Sequence, residues 1–349
     1  MPSLARDDGG ANFLRRAGPL VFARLIGAGI TFVIPLVLAR AMALEEYGTY
    51  KQLFLISQTL QYTLPFGVAQ SLYFFIPRTD QPRPWVAQSL VFLLFAGMLG
   101  ATLVFTLSNE VSDLLGNPDL LRFRTELALY VFGLVAASAL EIILTGQGRT
   151  KAAARIYLGT DLIRACAMVI PVFLGYGLAG AMRATVAVAL LRAVVTWVTL
   201  FTATTGPLFR PEGVRTQLAW AAPFGAAMLL NVPQQNAHQY AVGSVVPPEL
   251  FAIYAVGCFQ LPLVDLLYTP TSEVLMVRVG ELERQGRVSE SVQAFREAAG
   301  RLAYFFLPTA AFLFVAAPEF IGALFGAKFL PAVPLFRVSV LGIALAILP

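Results

Sequence analysis

Apolar runs long enough to cross a bilayer recur along the whole chain, separated by short polar stretches that collect the arginines. About 18 or more consecutive apolar residues cover the hydrocarbon core as a helix. Those runs predict spans near 19–39, 50–76, 85–107, 127–145, 156–176, 179–203, 217–241, 250–277, 301–325 and 335–349. The first run follows Arg15 and Arg16, as a signal peptide would. Its apolar core of about 20 residues exceeds that of a cleaved leader, which makes it a retained helix. The last run reaches only Pro349, short of the ~20 residues a span needs, so the second half is expected to be cut short.

Composition agrees: 58% of residues are hydrophobic, 13% are charged and the mean hydropathy is +0.72, whereas a soluble chain carries about 25% charged residues. The fold class is therefore all-α, a polytopic transmembrane helical bundle. The net charge of +5 could suggest nucleic acid, but the basic residues sit in short loops between spans, so no nucleic-acid partner is expected. With the N-terminus inside, the inner segments hold 15 Lys and Arg against 6 outside, and that bias sets orientation. Cys166, Cys258 and the single His238 have no ligand-spaced companions, so neither a disulfide framework nor a metal site is encoded.

One offset recurs along the chain. GPLVFARLIG (18–27) pairs with APFGAAMLLN (222–231), and EEYGTY (45–50) with ELFAIY (249–254), both 204 positions apart. LLGNPDL (114–120) pairs with LFGAKFL (324–330) at offset 210. Six spans per unit is even, which gives two parallel-repeat lobes, 1–205 with six helices and 206–349 with about four. Such repeats rock around a central site in some transporters, or they build only a scaffold.

Polar residues inside the spans carry the candidate chemistry, because a charge at mid-bilayer costs ~2.5–3.5 kcal/mol and normally faces the bundle interior. Asp161 and Arg164, at i and i+3 on one helix face, form an intramembrane ion pair, either an insertion aid or a cavity wall. Arg24 shares a face with Gly27, Ala28 and Thr31, and Arg192 with Thr185, Thr196 and Thr199; neither has an acidic neighbour on its own helix. Arg24 is shallow enough to snorkel, whereas Arg192 lies deep. In span 7, Asn231, Gln234, Gln235 and His238 share a broad face and Pro233 interrupts the helix ladder. That face is read as cavity lining or interhelical packing. Asp265 and Tyr268 continue the theme in span 8. The charged segment 281–302 reads as an interfacial or cytosolic helix ahead of span 9.

Five motifs in order, LARAMALEEYGTYKQL (38–53), GVAQSLYFFIPR (67–78), LTGQGRTKAAA (144–154), GLAGA (177–181) and LFGAKFLPAVPLFRV (324–338), resemble the polysaccharide and O-antigen flippases. These belong to the multidrug/oligosaccharidyl-lipid/polysaccharide exporter superfamily, and the likeness runs from about residue 13 to the end. It implies two bundles around a cavity that opens to each side alternately, in the bacterial cytoplasmic membrane. It also implies an undecaprenyl-pyrophosphate oligosaccharide as substrate, with glycan-assembly proteins and membrane lipids as neighbours. The sequence departs from the family in span 7, where His238 stands in place of a frequent acidic residue.

Arginine gives planar charge-assisted donors to phosphate oxygens, and Gln, Asn and Tyr serve sugar hydroxyls. The residues alone imply an anionic, polar, lipid-attached or amphipathic substrate. No cofactor is expected; a proton or sodium gradient would drive the motion. The alternatives are a cation-coupled drug exporter and a membrane-embedded glycan polymerase or ligase. The outer loop 108–126 lacks the acid, base and nucleophile set that the enzyme would need.

Overall fold

A computed structural model describes residues 8–259 and 261–345, and no strand occurs among them. Contacts divide the chain into two units, 1–248 and 249–349. Among the described residues, five stretches are both long and apolar enough to span a membrane: Arg83–Thr106, Arg124–Gly146, Thr150–Phe173, Gly177–Ala203 and Val288–Val315. The other expected spans form helices that are broken, shorter or more polar.

In the first unit, α1 (Asp8–Ala41) packs along α9 (Thr150–Phe173), and α10 (Gly177–Ala203) touches both α9 and α7 (Arg124–Ala136). α4 (Arg83–Thr106) lies against α7. Small residues set these distances, as they do between membrane helices generally. A Cβ on Gly133 would come within 2.8 Å of the Ala189 Cβ, and one on Gly97 within 3.0 Å of the Phe132 carbonyl oxygen.

Two predicted spans are broken. The run 50–76 divides into α2 (Leu44–Thr63) and α3 (Val68–Phe75), with Phe66 at φ 47° and Gly67 at φ 72° between them. Every residue of Leu64-Pro65-Phe66-Gly67 is apolar or glycine, so hydropathy passes over a break that the Pro and Gly chemistry encodes. The run 127–145 divides into α7 and α8 (Leu140–Gly146) at Ala137–Ala139. Non-helical backbone at membrane depth is tolerated where protein covers it. α11 (Pro211–Gly243) covers the first break: a Cβ on Gly67 would meet the Ala221 carbonyl oxygen at 2.9 Å. Contrary to the expectation for Pro233, α11 is continuous through both Pro223 and Pro233.

The expected outer loop is two short docked helices, α5 (Ser108–Leu114) and α6 (Asp119–Arg122). Buried Asn117 fastens them, its Nδ2 donating to Thr49 Oγ1 at 3.0 Å and to Gln52 Oε1 at 2.6 Å.

The second unit contains α12 (Pro248–Gly257), α13 (Pro262–Arg284), α14 (Val288–Val315), α15 (Ala317–Phe325) and α16 (Val333–Leu345). α14 packs on α13 and α16, with Leu302 and Phe306 against Tyr268, Ala303 and Ile343. The charged segment 281–302 is not a separate interfacial helix. It is the end of α13, a turn at Gly286, and the first half of α14. α2 and α12 begin 204 residues apart. Gly116 and Gly326, the glycines of the third sequence match, both take positive φ, at 54° and 97°.

Candidate functional site

α9 presents Asp161 and Arg164 one turn apart, so their side chains meet on one face, with Nη2 3.2 Å from Oδ1. α1 accommodates them because Gly27 has no side chain: a Cβ there would lie 2.5 Å from Asp161 Oδ2. One turn further on, Thr31 Oγ1 accepts a hydrogen bond from Arg164 Nη2 at 2.9 Å. The Gly27/Thr31 face of α1 is therefore the seat of the ion pair. The side chain of Arg24 lies outside the described residues.

Arg192 has no acidic neighbour on its own helix, but α8 supplies one. Its Nη2 is 2.7 Å from both Oε1 and Oε2 of Glu141, so the expected unpartnered cation is in fact half of a second ion pair. Glu141 was missed because a search along one helix cannot see across helices. Its isolation within an apolar span, opposite an equally isolated Arg192, was the available signal. On the face shared with Arg192, Thr185, Thr196 and Thr199 are buried, and each donates to a carbonyl of its own helix. They are packed rather than lining water.

Arg192 and Glu141 lie within electrostatic reach of the Asp161 carboxylate. Buried Tyr130 sits near both guanidinium groups, and Tyr50 near that of Arg164. Four charges from α8, α9 and α10 thus form a net-neutral set, of which Asp161 and Arg164 rest on α1. It is not saturated. Nε of Arg164 and Nε of Arg192 are both buried without a hydrogen-bond partner. Arginine has five N–H donors; each side chain meets its carboxylate through Nη2 and leaves its Nε–H without an acceptor.

The span 7 residues are not part of this cluster. Asn231, Gln234, Gln235 and His238 are exposed on α11, and Asn236 and Tyr240 of the same helix make the contacts to α2. Asn236 Nδ2 donates to Thr59 Oγ1 at 3.0 Å, and the Tyr240 hydroxyl bonds the same oxygen at 2.9 Å. With 3.6 residues per turn, the two sets are about half a turn apart. Tyr268 packs against Leu302 and Phe306 in the second unit, and the side chain of Asp265 lies outside the described residues.

Among the described residues of the first unit, two cavities stand out. One of about 360 Å³ is an apolar cleft of α4, α7 and α10 lined by Phe132, Leu190, Trp197 and Phe201. The other, about 310 Å³, is polar, with Glu45, Glu46, Asp119 and Arg122 on its walls. Its acids already serve helix N-termini: Glu46 Oε1 accepts from the Leu178 N–H at 2.6 Å, and Glu45 and Asp119 occupy first turns, where negative charge is favoured.

A family model described as "Polysaccharide biosynthesis protein" matches residues 37–334. Among solved structures, the chain is similar to an inward-facing multidrug resistance MATE family transporter of the MOP superfamily. The TM-score is 0.70 at 16% identity, over 91% of this chain and 78% of that one. It is also similar to a point mutant of the Vibrio cholerae MATE transporter VcmN, at TM-score 0.62 and 14% identity over 96% and 78% of the chains. A MOP superfamily transporter from Pyrococcus furiosus gives TM-score 0.59 at 14% identity over 95% and 78%. A search of curated proteins gives no match.

Proposed function

The chain belongs to the polysaccharide biosynthesis protein family, and from that premise we propose that it flips a lipid-linked oligosaccharide across the bacterial cytoplasmic membrane by alternating access. The fold is that of membrane transporters. The substrate is an undecaprenyl-pyrophosphate glycan, and its phosphate oxygens are what a hydrocarbon interior cannot carry unaided. The observation that carries this reading is the neutral four-charge cluster with two buried guanidinium N–H groups lacking acceptors. A charged oxygen is the partner that an unsatisfied guanidinium donor favours most. The exposed amides of α11, Asn231, Gln234 and Gln235, are offered as the sugar-facing donors and acceptors, and His238, Asp265, Tyr268 and Arg24 as further contacts for the substrate. The sequence repeat supports two rocking halves, 1–205 and 206–349. Transport consumes a proton or sodium gradient, needs no cofactor and makes no covalent bond.

The N-terminus is placed inside by the arginine bias. An impermeant thiol reagent should label a cysteine introduced at Asn109 and miss one at Arg149; the reverse would overturn the orientation. The substrate is tested in a strain lacking this gene. Accumulation of the lipid-linked glycan on the inner leaflet supports the flippase. Altered polymer length would point instead to a polymerase or ligase, and loss of drug efflux with normal glycan display to a multidrug exporter.

A further inference from the structure

In a two-half transporter the segment joining the halves is the natural joint, since hinges are loop residues that absorb large φ/ψ changes. Here that segment, 204–210, is fastened along its length. The Arg83 guanidinium donates to the carbonyls of Thr204 and of Gly206, the latter at 3.2 Å, and the Arg83 backbone N–H donates to the Thr205 carbonyl at 3.1 Å. Thr205 Oγ1 in turn donates to the Asp80 carbonyl at 3.0 Å, and Gln147 Nε2 to the Ala203 carbonyl at 2.6 Å. A Cβ on Gly206 would stand 2.8 Å from that of Gln81. The linker is bound to the 80–83 turn like a strap.

The helix that follows is bound as well, by chemistry of a different kind. Gln217 of α11 is 2% exposed and has its whole amide engaged. Its Oε1 accepts from Gln88 Nε2 at 2.6 Å, and its Nε2 donates to Ser71 Oγ at 2.6 Å and Ser89 Oγ at 2.7 Å. Ser71 and Ser89 are themselves fully buried. Trp220 then packs on Phe74 and Phe75, at 5.4 and 6.3 Å between ring centroids. Gly225 interlocks with the Phe66–Gly67 break, Asn236 and Tyr240 bond Thr59, and the carbonyl of Pro248 rests where a Cβ on Gly48 would be. Opening this seam anywhere would strand several desolvated polar groups at once, which is why buried networks rigidify the elements they join.

We propose that α11, although it opens the second repeat, moves as a seventh helix of the first bundle, and that the transport motion articulates beyond Pro248, where the first compact unit ends, rather than in the 204–210 linker. Arg83 and Gln217 are the positioning residues of this block. The inference rests on the transport reading and refines its division at 205/206.

The test uses the full chain with Cys166 and Cys258 replaced by alanine. Thr59→Cys/Asn236→Cys and Gln88→Cys/Gln217→Cys are bridged by a short, reducible bifunctional thiol reagent. In liposomes carrying a fluorescent polyprenyl-pyrophosphate-linked sugar, both bridged proteins should flip the lipid within about twofold of the unbridged rate. A loss of about tenfold or more, reversed by reductant, would overturn the proposal, since a hinge or gate at this seam must open in every cycle. A second measurement needs no transport: nitroxides at Leu99 and Leu230, both exposed, should give one distance distribution with or without a proton or sodium gradient. A shift of about 5 Å, the size of a one-turn helix displacement, would sink the block. Failure of the unbridged protein to flip the probe would sink the substrate reading and leave the distance result standing.

Discussion

Gly225 of α11 lies so close to Phe66 that a Cβ on it would fall 2.6 Å from the Phe66 carbonyl oxygen. The obstacle is backbone, held by a residue in the left-handed region, so it cannot swing aside as a side-chain tip would. Gly225→Ala should therefore destabilise the solubilised protein by about 1–3 kcal/mol, the cost of overpacking a tight contact. Gly29→Ala, with nothing within 4 Å of its Cβ, should be neutral or slightly stabilising, because alanine is the better helix former. Thermal unfolding midpoints of the two variants compare the effects; equal midpoints would refute the interlock.

Glu141→Gln and Arg192→Met should each destabilise the protein by less than the ~3–5 kcal/mol of a fully buried pair, because each leaves a partly buried charge without its partner. The double variant should be more stable than either single, a non-additivity that marks a coupled pair. Additive losses in the same unfolding assay would mean that the 2.7 Å contact contributes nothing.

For Asp161 and Arg164 the same cycle should show a smaller penalty for Asp161→Asn than for Glu141→Gln. Arg164 keeps its bond to Thr31 when the carboxylate is gone, whereas among the described residues Arg192 donates to Glu141 alone. Adding Thr31→Val to Asp161→Asn should remove that difference in midpoint.

Arg164→Lys and Arg192→Lys keep the positive charge and the ion pair but delete the buried Nε–H. Translocation of the lipid-linked glycan should fall about tenfold in each while stability changes little, since one hydrogen bond to a charged group contributes about 1.5–3 kcal/mol. Unchanged translocation at normal expression would remove these donors from the substrate path.

Asn117→Ala should leave buried Thr49 and Gln52 short of a partner and cost ~1–3 kcal/mol. The damage should be local. Amide exchange should rise over residues 107–123, which Asn117 and the bond from Gln52 Nε2 to the Leu115 carbonyl hold down, and stay unchanged in α13 and α14.

The apolar runs located the helices because a bilayer demands length and hydrophobicity, and both are local properties. The breaks at 64–67 and 137–139 escaped that filter for the same reason: their residues are as apolar as their surroundings. Pro65 and Gly67 did mark the first break, while Ala137-Ser138-Ala139 gives no comparable sign. Asp161 and Arg164 were legible as a pair because helical spacing is written in sequence. The Glu141–Arg192 contact was not, being fixed by how α8 and α10 pack. Likewise the polar residues of α11 could be counted from sequence, but only packing singles out Gln217, Asn236 and Tyr240 as those that face the first bundle.

The separation of 51 positions between Glu141 and Arg192 also bears on how the protein is made. Asp161 and Arg164 leave the ribosome almost together and enter the membrane as a neutral unit. Glu141 is synthesised well before its counter-ion, and a lone acid within a span carries an insertion cost, largest at the helix centre. The helix containing it gains its ionic partner only once Arg192 follows, so this pair can close only after the sixth span has been made.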